Sequence, residues 1–192
     1  MKPPPRQLHL LPDHQIPEGL RYYDDVLTEA EEGAIIAGFS ALQFQPFEFH
    51  GFQGNRRIVS CGYRYDYGQH GLRESSPIPP FLLTLREKIG LFSGPAAASF
   101  QQALVTEYAP GAGIGWHRDK LMFQCVAAFS LLAPCVLRFR RKQGDSWIRA
   151  KQSLKPRSLY LLAEPARWEW QHSIPAVTAL RYSVTFRDFV AE

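Results

Sequence analysis

The sequence predicts a mainly β chain of the α+β class: a β-sandwich or double-sheet jelly roll with flanking N-terminal helices. Three observations carry this. Both helical signals fall in the first half, and from Gln101 onward nearly every segment is a short strand-like run bounded by turn residues. The 192 residues, 45% hydrophobic and 21% charged, suffice for one domain with a sizeable core.

Residues 1–20, rich in proline and polar side chains, read as an extended N-terminal arm ahead of a single domain over 21–192. Thr28-Glu29-Ala30-Glu31 is a capping box, in which hydroxyl and carboxylate each satisfy a backbone N–H, and it opens a helix to about Phe39. Phe44–Phe49 alternates as a strand, with Pro46 suited to an edge. Ile58–Tyr67 reads as one strand and Gly68–Pro80 as a loop, followed by a helix over Phe81–Ile89 behind Pro79-Pro80. A strand before Pro110-Gly111 carries Thr106 and Tyr108 on one face, and Gly113 and Gly115 permit close backbone approach. Further strands are expected at Gln124–Leu132, Val136–Arg141, Trp147–Ala150, Ser158–Leu162, Trp168–His172 and Arg181–Phe189.

Composition excludes several classes. No apolar run approaches membrane-spanning length, and Met1–Arg6 lacks a signal-peptide core. Cys61, Cys125 and Cys135 are odd in number and lack zinc spacing, which fits reduced thiols in a cytoplasmic (or, in a eukaryote, nuclear) setting; a monomer is expected separately. A net charge of +4 is modest for a partner of polyanions. Basic residues nevertheless cluster at Arg56-Arg57 and at Arg138, Arg140, Arg141 and Lys142, where phosphate contact and a plain solvated face are both open.

The chemistry rests on His117 and Asp119, one residue apart, with His172 far downstream. In a strand, residues i and i+2 share a face about 7 Å apart, so the pair can converge on one ion. Two imidazoles and a carboxylate with the other positions open suit Fe(II) and oxygen chemistry. Arg181, Ser183, Thr185 and Arg187 alternate with Tyr182, Val184 and Phe186. Either this is an edge strand with a solvated polar face, or the polar face lines a barrel interior. In the second case the buried arginines require an anion, such as a dicarboxylate held by a bidentate pair. Thr106 and Tyr108 add hydroxyls to the same set. Tyr63, Tyr65 and Tyr67 share a strand face, as core aromatics or as a surface on which a base stacks.

Tyr108-Ala109-Pro110-Gly111, His117-Arg118-Asp119-Lys120, His172 and Arg181–Arg187 together resemble the AlkB family, Fe(II)- and 2-oxoglutarate-dependent dioxygenases that oxidatively dealkylate nucleobases. The resemblance is dense from about Gln102 to Phe189, and Gly62-Tyr63-Arg64-Tyr65 resembles the family's substrate lid. It implies a double-stranded β-helix core over 101–192, with helices and lid strands in 21–100. It implies Fe(II) on His117, Asp119 and His172, O2 as co-oxidant, and 2-oxoglutarate contacted by Tyr108, Arg181 and Arg187, with Thr106 and Ser183 beside it. It also implies Tyr63 and Tyr65 near the substrate; with Arg56, Trp116, Lys120, Arg140 and Arg141 as further candidates they make the expected substrate region, facing alkylated DNA or RNA that is single-stranded or has its base flipped out. Thr106 and Ser183 stand where many members carry asparagine, and Leu121-Met122 where those that repair methylated adenine often carry an acidic pair. The same chemistry on a protein side chain or small molecule, and a non-catalytic nucleic-acid-binding module, are the alternative readings.

Overall fold

In a computed structural model the described residues are 16–49, 52–66, 71–92 and 97–190. Residues 1–15 of the expected arm and Tyr67 lie outside them. The chain runs β1 (Leu20–Tyr23), α1 (Glu29–Gly38), β2 (Gln45–Phe49), β3 (Phe52–Cys61), β4 (Tyr63–Asp66), β5 (Gly71–Glu74) and α2 (Pro80–Gly90). It continues through β6 (Phe100–Tyr108), β7 (Ile114–His117), β8 (Phe123–Leu131), β9 (Cys135–Gln143) and β10 (Ser146–Leu154). β11 (Ser158–Leu162), α3 (Glu164–Trp168), β12 (Gln171–Ile174) and β13 (Arg181–Phe189) complete it. A seven-stranded sheet, ordered β1-β11-β8-β13-β6-β3-β2, faces a four-stranded sheet, β10-β9-β12-β7, and the jelly roll is the space between them.

The helices form where their caps predict. The Thr28 hydroxyl accepts from the Glu31 N–H, and Glu31 accepts from the Thr28 N–H at 2.8 Å. In α2, Pro80 occupies the first turn, where its missing N–H costs nothing. Both helices cover the outer face of the seven-stranded sheet. Ile35, Phe39, Leu82, Leu85 and Ile89 pack there against Val105, Phe129, Leu159, Val184 and Phe186. The inner face packs Val126, Ala128 and Leu162 against Leu137, Phe139, Leu154 and Ile174. β8 is covered on both faces, which explains its nearly unbroken apolar run. Among the described residues no helix is long and apolar enough to cross a membrane.

Four local expectations are corrected. The strand expected over Ile58–Tyr67 is broken at Gly62, which takes φ +76° and divides β3 from β4. The loop expected over Gly68–Pro80 contains β5, which pairs antiparallel with β4. Trp168 ends α3, so the strand carrying His172 begins only at Gln171. Leu20 pairs with Leu162 in the sheet and does not belong to an arm.

Gly62 is a point of stringency. Its N–H donates to the Ser76 carbonyl, its own carbonyl accepts from Ser75, and a Cβ there would stand 2.1 Å from the Gln101 oxygen. Gly62→Ala should cost about 3 kcal/mol through left-handed strain and backbone collision, a Tm loss of roughly 6–12 °C. Gly33→Ala, on the open face of α1, should instead stabilise by about 0.5–1 kcal/mol. Equal melting of the two variants would show that the break at Gly62 is not required.

Candidate active site

A cavity of about 490 Å³ lies between the sheets. β7 and β12 pair antiparallel with His117 directly opposite His172, so both imidazoles enter the cavity, their rings 4.2 Å apart. Asp119 arrives differently from the expectation of a continuous strand. β7 stops at His117, and Asp119 lies two residues past its end. The ligand atoms of His117, Asp119 and His172 fall within 4.8 Å of one another, and His172 Nε2 lies 3.6 Å from Asp119 Oδ2. Among the described residues no other group of histidine, cysteine and carboxylate side chains gathers this way. His117 Nδ1 stands 2.9 Å from the Gly115 carbonyl, which assigns the proton to Nδ1 and leaves the Nε2 lone pair for a metal.

The electrostatics prepare the same set. Burial pushes the Asp119 carboxyl up, but Arg187 first, then His172, His117 and Arg167, outweigh it and hold the group far below the usual carboxylate range. Burial, reinforced by His117, lowers His172 to about 3, and burial also lowers His117 against the pull of Asp119. Two neutral imidazoles and an ionised carboxylate are the donor set that Fe(II) takes on one face.

The residues present also fit 2-oxoglutarate. Tyr108 and Arg181 are cross-strand neighbours on β6 and β13, and the guanidinium carbon lies 4.7 Å from the Tyr108 ring centroid. Arg181 is fully buried, yet only Nη2 has a partner, the Ser130 hydroxyl at 3.0 Å. Nε and Nη1 find none among the described residues. A buried guanidinium with two unused N–H groups is costly unless an anion completes it, and its fork matches a carboxylate. Thr106 and Ser183, paired in register, line the cavity beside it.

Arg187 does not sit beside Arg181 as half of an anion pair. Its Nε and Nη2 lie 2.8 and 2.6 Å from Asp119 Oδ1, and its Nη1 donates to Gln102 Oε1 at 3.1 Å. The polar face of β13 nonetheless lines the interior, through Ser183, Thr185 and Arg187, while Val184 and Phe186 pack under the helices.

The expected substrate residues divide. Arg56, Tyr65, Trp116 and Lys120 line the cavity, with Lys120 Nζ 4.4 Å from the Tyr65 ring centre and the Arg56 guanidinium 3.8 Å from that of Phe47. Tyr63 instead packs edge-on against Phe189. Arg140 and Arg141 lie off the cavity wall, and Arg141 is bound to Glu169 at 2.5 Å. Gly113 is the close approach expected, since a Cβ there would meet the Ile174 oxygen at 2.7 Å, but Gly115 has open space.

Sequence reasoning missed Gln102, Arg167, Tyr160 and Ser130. Gln102 bridges Arg187 and the Tyr63 carbonyl, and its place on the face of Thr106 and Tyr108 was readable from period two. The buried Arg167 holds the carbonyls of Lys120 and Phe123, the latter at 2.7 Å, and so pins the segment that follows Asp119. No local pattern marks that contact.

A metal-binding triad in the mouth of a jelly roll, backed by a buried anion-seeking arginine, defines a cofactor-dependent oxygenase. The chain belongs to the 2OG-Fe(II) oxygenase superfamily, whose pattern it matches over residues 19–187. The resemblance to the AlkB family holds as well. The chain is 31% identical over 181 residues to the alkylated DNA repair protein ALKBH8 homolog of Arabidopsis thaliana, covering 82% of this chain and 51% of that protein. It is 29% identical over 104 residues to uncharacterized protein L905 of Acanthamoeba polyphaga mimivirus, 47% of this chain and 49% of that one. It thus spans about half the length of these curated relatives. The solved structure of OsALKBH1 shares the fold, with TM-score 0.69 at 16% identity over 90% of this chain and 97% of that one. The superfamily implies Fe(II) and 2-oxoglutarate, and the triad fits an iron site.

Arg181→Met keeps bulk and removes the guanidinium. The KM for 2-oxoglutarate should rise about 10- to 100-fold, the worth of a lost charge-assisted contact, with Fe(II) affinity unchanged. An unchanged KM would remove Arg181 from cosubstrate binding.

Proposed function

We propose that the protein oxidatively dealkylates nucleobases in DNA or RNA, with Fe(II) on His117, Asp119 and His172 and 2-oxoglutarate anchored by Arg181. The observation that carries this is the buried Arg181 fork, with two N–H groups unpartnered, on the face of β13 whose Ser183, Thr185 and Arg187 line the triad's cavity. Bound iron with 2-oxoglutarate and O2 supplies oxidation of an N-alkyl C–H bond, giving succinate, CO2, an aldehyde and the freed nitrogen.

The chain's own residues orient and shield. Arg187 holds Asp119 Oδ1, which turns the other carboxylate oxygen toward His172. Tyr108 lies over the Arg181 guanidinium and, with Thr106 and Ser183, offers hydroxyls to the cosubstrate. Phe123, Val126, Leu137 and Ile174 make apolar wall and keep water out. Tyr65 and Trp116 supply flat surfaces at the wall for an unstacked base, and Arg56 and Lys120 supply charge for its phosphates. A base reaches such an interior only from a single strand or after flipping. The working unit in this reading is a monomer whose dioxygenase domain begins with β1 at Leu20, one residue ahead of the expected boundary at 21. The name of the Arabidopsis relative, an alkylated DNA repair protein homolog, supports a nucleic-acid substrate.

With Fe(II), 2-oxoglutarate and alkylated single-stranded oligonucleotides, the protein should release succinate and shorten the oligonucleotide mass by the alkyl group. His117→Ala and Asp119→Ala should lower both by at least about 100-fold. Succinate release without any loss of oligonucleotide mass across DNA and RNA panels would refute the nucleobase assignment and leave the cofactor assignment standing.

A further inference from the structure

Two strands away from the iron ligands, the four-stranded sheet carries an uncompensated charge pattern on its outer face. Its inner positions, Leu137, Phe139, Ala150 and Leu154, are core. The alternate positions on β9 and β10 are Arg138, Arg140, Lys142, Trp147, Arg149 and Lys151. The register sets Arg140 directly opposite Arg149, and Arg138 directly opposite Lys151. Like charges directly opposed across a strand pair are destabilising. The strands themselves supply no offsetting carboxylate, because none of β7, β9, β10 or β12 contains an aspartate or glutamate; the nearby acids in sequence are Asp145 in the β9–β10 turn and Glu169, which pairs with Arg141. Lys142, Arg149 and Lys151 are exposed and form no ion pair among the described residues. A face kept this way is disfavoured in the free protein and favoured against a polyanion.

Aromatic rings are interleaved with this charge, in line with the cavity. The Arg140 guanidinium is held between Trp147 and Trp116, at 4.4 and 4.5 Å from their ring centres, and Arg138 lies 5.3 Å from Trp116. Hydrogen bonds fix both arginines, Arg140 to Gln171 at 2.7 Å and Arg138 to Ser173 at 3.2 Å. Trp116 is at once the end of this ladder, a cavity wall and the neighbour of His117. Four strands span about 14 Å, the reach of a few nucleotides.

We infer that the outer face of the β10-β9-β12-β7 sheet binds the single-stranded sugar-phosphate chain flanking the target nucleotide. Arg149, Lys151 and Lys142 take phosphates, and Trp147 stacks on a flanking base. Alternating cations and aromatic rings bind a single strand with little sequence preference, and the outcome is salt-sensitive. An acidic protein surface would use the charge and leave the exposed Trp147 ring idle. The inference deepens the nucleobase reading above and rests on it for the location of the target base.

The test uses the full chain and the variants Arg149→Glu/Lys151→Glu and Trp147→Ala, all remote from the metal ligands. Fluorescence anisotropy would follow unmodified deoxythymidine oligonucleotides of 1, 4 and 10 nucleotides. Wild-type affinity should rise with length and fall steeply with salt. The charge-reversed variant should lose at least about 30-fold on the 10-mer with a shallower salt slope, and Trp147→Ala about 5- to 10-fold. Both should bind the mononucleotide as wild type does and melt within about 3 °C of it. Equal binding of the 10-mer by wild type and charge-reversed protein overturns the inference. So does a wild-type affinity independent of length, or a wild type that takes up a poly-glutamate peptide as tightly as the 10-mer. Length-dependent binding through this face with no dealkylation would refute the nucleobase chemistry alone. Dealkylation with the face silent would refute the face alone.

Discussion

A buried carboxylate must be compensated, and Asp119 is where this molecule meets that demand. Its oxygens are reached by Arg187 from β13 and by His172 from β12, with His117 from β7 and Arg167 from α3 adding to the field. Each partner belongs to a different element, and because the two imidazoles are neutral the charge itself is met chiefly by Arg187. Arg167 also anchors the carbonyls of the segment that follows Asp119, and Arg187 hands its remaining Nη to Gln102, whose amide holds the Tyr63 backbone. The metal-ligand carboxylate is thereby tied, through two side chains, to the first residue of β4. A cation entering the triad shares this carboxylate with Arg187, so its charge adds to a site already balanced by arginine.

The seven-stranded sheet makes such an interior tolerable by dividing labour between its faces. Toward the helices, β6 and β13 present Ala103, Val105, Val184 and Phe186; toward the cavity they present Gln102, Thr106, Ser183 and Arg187. Each fully buried Val or Phe on the helix side contributes roughly 1.5–3 kcal/mol. That surplus holds flat a strand whose other face is polar and incompletely bonded, as the free N–H groups of Arg181 illustrate. A strand with both faces polar would have no reason to sit in the middle of a sheet, between β8 and β6.

Much of this was legible because strand periodicity is two and unambiguous. Reading Arg181–Arg187 as polar inward and apolar outward, against the usual order, located both the cavity wall and the helix-covered face. The capping box at Thr28 and the proline ahead of Phe81 placed both longer helices to within a residue or so. What failed was what backbone geometry decides alone. Gly62 looks like any strand glycine until the Gln101 carbonyl is found where its Cβ would be. Asp119 seemed bound to His117 by strand spacing, whereas β7 had ended. The pairing of His117 with His172 joins segments 55 residues apart, and only sheet topology supplies it. The partners of Arg167 are backbone carbonyls, which leave no mark on composition.

The substrate question narrows by subtraction. Among the described residues lining the cavity the only carboxylate is Asp119, whose Oδ1 is held by Arg187 and whose Oδ2 faces His172 within the triad. Leu121, in the position next after Lys120, is exposed to 78%, and beside it the cavity wall is built from Lys120, Arg118, Arg56 and Tyr65. Nothing there can accept a hydrogen bond from an exocyclic amine with the strength of an ionised acid. Selection of a base by its amino group is therefore not what this interior is built for. What it offers is flat ring surface, hydroxyls and positive charge, which suit the proposed reading of a base by its π-face and a strand by its phosphates. On the proposed nucleobase reading, discrimination between alkylated bases falls to the fit of the alkyl group against Phe123, Val126 and Leu137, and a pocket wall of that kind separates substrates by a methylene at only about 1–3 kcal/mol.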